Sequence, residues 1–225
     1  MALHPSRKVL LFGPHALAFD IKFFNKLRIQ LHDEPSNHWV LNLVSHLPKL
    51  WGPLVQSVPA LQHFNGEELL QALNQGLQNG EISESVFPLP NILLTPLVVI
   101  AQLTQYSSFL KAALPGLIDT DEIPVSVTES TEILGLCTGI LSSLAVGCSS
   151  SLAKLQYYGS VAVRLAVIIG ALVDAREASS SSEGSSKSFS MSWSGAESSE
   201  VVTKILENFP EVSKALSSGL HMNIY

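Results

Sequence analysis

The chain has 225 residues, 46% of them hydrophobic and 14% charged, which is the composition of a globular domain with length enough for a buried core and excludes a disordered chain. Its formal net charge is −6, with no dense block of lysine or arginine, so the basic stripe that binds nucleic acid is missing. Two cysteines, Cys137 and Cys148, and an N-terminus without a secretory pattern argue against a disulfide framework and for a reducing, cytoplasmic setting.

In chain order, residues 8–12 form a short apolar strand that stops at the turn signal Gly13-Pro14. Ser36 or Asn37 caps a helix whose apolar positions Trp39, Val40, Leu43, Val44 and Leu47 recur at helical spacing up to Pro48. Residues 50–64, with prolines at 53 and 59, read as broken helix or loop, and residues 67–77 as a helix ended by Gln78-Asn79-Gly80. Residues 91–110 form a nearly all-apolar helix, as expected of one covered on several sides. The apolar runs 92–103 and 161–173 fall short of the roughly 20 residues needed to span a bilayer, so no membrane segment is expected.

Residues 123–127 are a β-branched strand candidate and 132–134 a short strand. Helices follow from about 138 to 150 and from about 152 to 175. Residues 178–199 hold twelve serines and read as a flexible loop, 200–216 as an amphipathic helix, and 220–225 as the start of a strand. Strands alternating with helices predict an α/β fold with a parallel sheet.

The motif with chemical content is Gly135-Leu136-Cys137-Thr138-Gly139, set between an extended apolar stretch and a helix. Gly-x-nucleophile-x-Gly is the pattern of a nucleophile elbow, in which a sharp strand-to-helix turn exposes the central side chain in a strained conformation. The flanking glycines admit neighbouring backbone, and the helix N-terminus favours an anion beside the central side chain. The pentapeptide alone leaves a second reading open, an ordinary buried cysteine. Cys148 reads as structural, and Arg164 as a solvated or carboxylate-paired helix residue.

Four segments recur together in a known family: 11–14 (LFGP), 91–106 (NILLTPLVVIAQLTQY), 133–141 (ILGLCTGIL), and 162–166 (AVRLA) with Gly170. The chain resembles the starter-unit:acyl-carrier-protein transacylase domain of fungal non-reducing polyketide synthases. That resemblance implies an α/β-hydrolase-like, malonyl-transacylase-like core over residues 1–177. After the Ser-rich loop at 178–199 it implies the beginning of a small ferredoxin-like subdomain over 200–225. It implies an acyltransferase in which Cys137 takes an acyl group from acyl-CoA or an acyl-carrier thioester. The group passes to the phosphopantetheine of an acyl carrier protein by ping-pong exchange, with no bound cofactor or metal. The carrier protein and other synthase domains are the implied partners, and neither nucleic acid nor membrane is.

The resemblance assigns Thr138 an oxyanion-hole backbone N–H and places His15 in or next to the turn that supplies the second donor. It assigns substrate contacts to Gly135, Leu136 and Gly139. It also puts Ile169, just before Gly170, where malonyl transferases carry a carboxylate-binding arginine, so an uncharged acyl group is expected. The family's partner base is a histidine well beyond the elbow. Only His221 follows Cys137 here, and it reads as a strand-face histidine, with the base as its alternative role. This leads us to expect a fragment, an early-terminated product or a catalytically impaired remnant with a binding role. Unpaired core strands and exposed apolar surface would accompany it.

Overall fold

Apolar strand sequences at two distant places in the chain, Lys8–Phe12 (β1) and Thr131–Gly135 (β2), pair in parallel, with Leu10 opposite Ile133 and Phe12 opposite Gly135. The computed structural model describes residues 8–13, 19–83, 86–113, 122–123 and 131–180, all within the first of two compact units, Met1–Glu183. Several of the expected features lie outside the described residues: His15, His221, most of the 123–127 strand candidate, the Ser-rich stretch beyond residue 180, and residues 200–225.

Seven α-helices accompany the strand pair among the described residues: Ile21–Asp33 (α1), His38–His46 (α2), Trp51–Ser57 (α3), Gly66–Asn79 (α4), Asn91–Ala113 (α5), Gly139–Gly147 (α6) and Leu152–Ser180 (α7). The first of these was not anticipated. Asp20 caps it by accepting a hydrogen bond from the Phe23 N–H at 2.8 Å, and Phe24, Leu27 and Leu31 turn one buried stripe to the core. The expected side-chain cap at Ser36 or Asn37 is not made; a 3-10 turn over Pro35–Asn37 leads into α2 instead. Pro48 likewise does not end the helical path, which continues through a 3-10 turn at Leu47–Leu50 into α3.

The backbone of the fold is the pair α5 and α7. Gly170 of α7 lies against the carbonyl of Asn91, and Gly159 lies beside Leu103, so the two helices run antiparallel. The Asp174 carboxylate then caps α5, accepting from the Asn91 N–H and side-chain amide (2.9 Å each) and from the Ile92 N–H (2.8 Å). Leu93, Leu97, Ile100 and Leu103 of α5 are fully buried.

Both helices outrun the apolar stretches seen in the sequence, and that expectation is corrected: each is long and apolar enough, by length and composition, to cross a membrane. Within this fold, 67% of the most apolar window of α5 and 50% of that of α7 are buried in the protein. Core burial is thus the physical reason for the apolarity of α5. Helix α7 also carries an exposed stripe, Val161, Leu165, Ile169, Leu172 and Val173, and one face of the strand pair exposes Val9, Leu11 and Leu134.

Candidate functional site

The elbow is built where β2 ends. The Leu136 N–H donates to the Phe12 carbonyl at 2.8 Å, carrying the parallel pairing one residue beyond β2. The chain then reverses at Cys137, whose φ is +55°, the one non-glycine residue with positive φ among those described. An L side chain in this left-handed region costs about 1–2 kcal/mol, and here the cost falls on a residue with an exposed thiol. Helix α6 starts two residues later. The Gly139 N–H donates to the Leu136 carbonyl (3.0 Å) and the Ile140 N–H to the Cys137 carbonyl (3.0 Å).

Both flanking glycines are required by close approach. A Cβ on Gly135 would lie 2.7 Å from the Ile140 Cα, and one on Gly139 would lie 2.0 Å from the Phe12 carbonyl oxygen and 3.0 Å from the Gly13 nitrogen. The first turn of α6 therefore rests directly on the end of β1.

The thiol of Cys137 is exposed, with the Thr138 hydroxyl 3.9 Å from its Sγ. Among the described residues the N–H groups of Cys137 and Thr138 have no acceptor, as is usual of donors at a helix start. Leu136, 63% exposed, and Ile140, 47% exposed, place apolar side chains on either side of the thiol in sequence. Ile169 is on the exposed side of α7, immediately before the Gly170 contact with α5. Cys148, read from the sequence as structural, is an exposed free thiol at the C-terminal end of α6.

No described histidine bonds to the thiol. His32 pairs with the Leu77 carbonyl, His38 with the His32 carbonyl and His46 with the Asn42 carbonyl. Among the described residues no cluster of His, Cys, Asp or Glu has the geometry to hold a metal. A cavity of about 470 Å³ lies near the C-terminal end of α5, between Trp39, Lys111, Leu152 and Leu155, and none of the elbow residues lines it.

The sequence reading did not single out Gln102. Its Nε2 donates to the Gly13 carbonyl at 2.7 Å, linking α5 to the end of β1 beside the elbow. On the same side Tyr106 meets Phe12 edge to face, ring centroids 6.4 Å apart, and burial raises the Tyr106 phenol above its ordinary pKa.

A strained, exposed cysteine between a parallel strand and a helix N-terminus is a nucleophile elbow in its geometry. Residues 69–221 match the family model described as "Starter unit:ACP transacylase in aflatoxin biosynthesis", more than half of the chain. The chain belongs to the starter unit:ACP transacylase family. It is 58% identical over 204 residues to clavatol synthase claF of Penicillium crustosum, covering 91% of this chain and 8% of that protein. It is 48% identical over 204 residues to the citrinin polyketide synthase of Monascus ruber, with the same coverage. To the non-reducing polyketide synthase pigA of Monascus ruber it is 40% identical over 203 residues, 90% of this chain and 7% of that protein. The chain thus spans about 8% of the length of these relatives.

Proposed function

We propose that this chain loads an uncharged acyl starter unit in fungal aromatic polyketide synthesis, taking it from a thioester donor and passing it to the phosphopantetheine thiol of an acyl carrier protein. The observation that carries the reading is the exposed Cys137 thiol, held at φ +55° between β2 and α6 in a chain of the starter unit:ACP transacylase family.

In this reading the Cys137 thiolate attacks the thioester carbonyl carbon. The new C–Sγ bond forms as the carbonyl π pair moves onto oxygen, and the Thr138 N–H at the helix N-terminus donates to that oxyanion. Collapse breaks the donor C–S bond, and the donor leaves as a thiolate that takes up a proton. The carrier thiolate then repeats the sequence on the acyl-enzyme and releases Cys137. Each half exchanges one thioester for another, so the intermediate lies close in energy to both ends, which suits a thiol better than a hydroxyl nucleophile.

The turn after β1 supplies the second oxyanion donor in this account, and Ile169, an apolar residue where a carboxylate partner would stand, favours an uncharged acyl group. An α/β-hydrolase-like core is supported by the parallel β1–β2 pair and by the elbow at the C-terminal end of β2. The remaining synthase domains are the proposed partners. The clean test is acceptor choice. Protein loaded from acyl-CoA and freed of donor should discharge onto holo carrier protein and persist with apo carrier or buffer. Discharge at one rate in all three would make water the acceptor and the protein an esterase.

A further inference from the structure

We propose that Gln102 is a positioning residue for acyl transfer: its side-chain amide holds the Gly13 carbonyl, and so fixes the end of β1 against the first turn of α6, whose N–H groups face the oxyanion forming beside Cys137. The inference rests on the proposed acyl transfer and adds a residue to its machinery.

Three observations carry it. First, Gln102 Nε2 reaches the Gly13 carbonyl at 2.7 Å across 89 residues of sequence. Because residue 14 is proline, the Gly13–Pro14 peptide has no N–H, and its carbonyl is the only polar group by which that peptide can be oriented. Second, Gly13 is held from the other side by the elbow itself. The start of α6 packs so closely on Phe12 and Gly13 that Gly139 has no room for a Cβ, so a movement of Gly13 is transmitted to the first turn after Cys137. Third, Gln102 is an expensive choice for packing alone. Its neighbours Ala101 and Leu103 are buried and apolar, and its Oε1 is buried without a partner among the described residues. A methionine of similar length would fill the same space with no orphaned oxygen, so the donor N–H is what the position retains.

The chemistry gives a graded test. Gln102→Met keeps the length and removes the donor. Gln102→Glu sets a carboxylate against the Gly13 carbonyl when ionised and restores a donor when protonated. Rates of Cys137 acylation by acyl-CoA are read by stopped reaction and intact mass, beside rates of iodoacetamide alkylation, which need the thiolate and no oxyanion donor. We expect Q102M to acylate about 10- to 100-fold more slowly, at a nearly unchanged KM, as a misplaced donor predicts. Alkylation should stay within about twofold of wild type. The ratio of Q102E to wild-type acylation should rise as pH falls, a rescue that a packing defect would not show.

Wild-type acylation by Q102M, or equal losses in acylation and alkylation, would overturn the proposal. If the wild-type protein itself takes no acyl group, the transfer reading fails separately. The carbonyl ¹³C shift of Gly13 then decides whether the clamp exists: it should move on Q102M, and an unmoved shift would overturn the positioning role on its own.

Discussion

Replacing Gly139 with alanine sets two effects of opposite sign against each other. Alanine in place of glycine inside a helix gains about 1 kcal/mol, so an unconstrained Gly139 would make the variant more stable. Here the added Cβ would stand 2.0 Å from the Phe12 carbonyl oxygen, where ordinary contact begins at 3.4 Å. The end of β1 would have to retreat by about 1.4 Å, and its atoms are backbone, not the tip of a flexible side chain. That retreat breaks the Leu136 N–H to Phe12 carbonyl bond, worth about 1 kcal/mol, and adds an overpacking cost of about 1–3 kcal/mol. The net expectation is a loss of about 1–3 kcal/mol in urea unfolding followed by circular dichroism. Because the displaced backbone is the floor of the elbow, Cys137 acylation should fall about 100-fold. A G139A protein that is as stable as wild type or more so, with its acylation rate intact, would refute the close approach and the elbow geometry drawn from it.

Cys137→Gly should abolish acylation and raise stability by about 1 kcal/mol, since glycine carries no penalty at φ +55°; thermal unfolding checks it, and a destabilised variant would remove the strain argument. Asp174→Ala removes three hydrogen bonds at the start of α5 and should cost about 2–3 kcal/mol, with Asp174→Asn losing less, both read from urea midpoints at constant m. Tyr106 gives the alkaline limit. Burial raises its pKa in the folded state, so above pH about 10 the unfolded chain gives up the proton first. Stability is therefore untouched below that pH and falls as pH rises toward the raised folded value, and Tyr106→Phe should flatten that part of the stability–pH curve.

The elbow could be read from residue types because its demands are local: two glycines four positions apart, with a nucleophile between an apolar strand and a helix. The φ of +55° at Cys137 is the physical counterpart of that spacing. Local signals also existed for α1, where Asp20 precedes Phe24, Leu27 and Leu31 at helical spacing, although no helix was expected there. Gln102 and Asp174 are different. Each acts on residues more than 80 positions away, and neither carries a pattern of its own in one sequence. The helices α5 and α7 themselves were legible, read over 91–110 and about 152–175, but their apolar length was underestimated, because the runs counted over 92–103 and 161–173 hold Pro96 and Arg164 and the helices extend past both. An exposed Arg164 costs the second helix nothing, and the buried neighbours of Pro96 hold the first together.

The central claim is that Cys137 is an acyl-accepting nucleophile, and intact mass spectrometry after incubation with acyl-CoA thioesters of graded length tests it most directly. The account predicts a single acyl adduct, mapped to the peptide holding Cys137, present in C148A and missing in C137A. A folded protein that takes no adduct, or one whose adduct survives C137A, would contradict it.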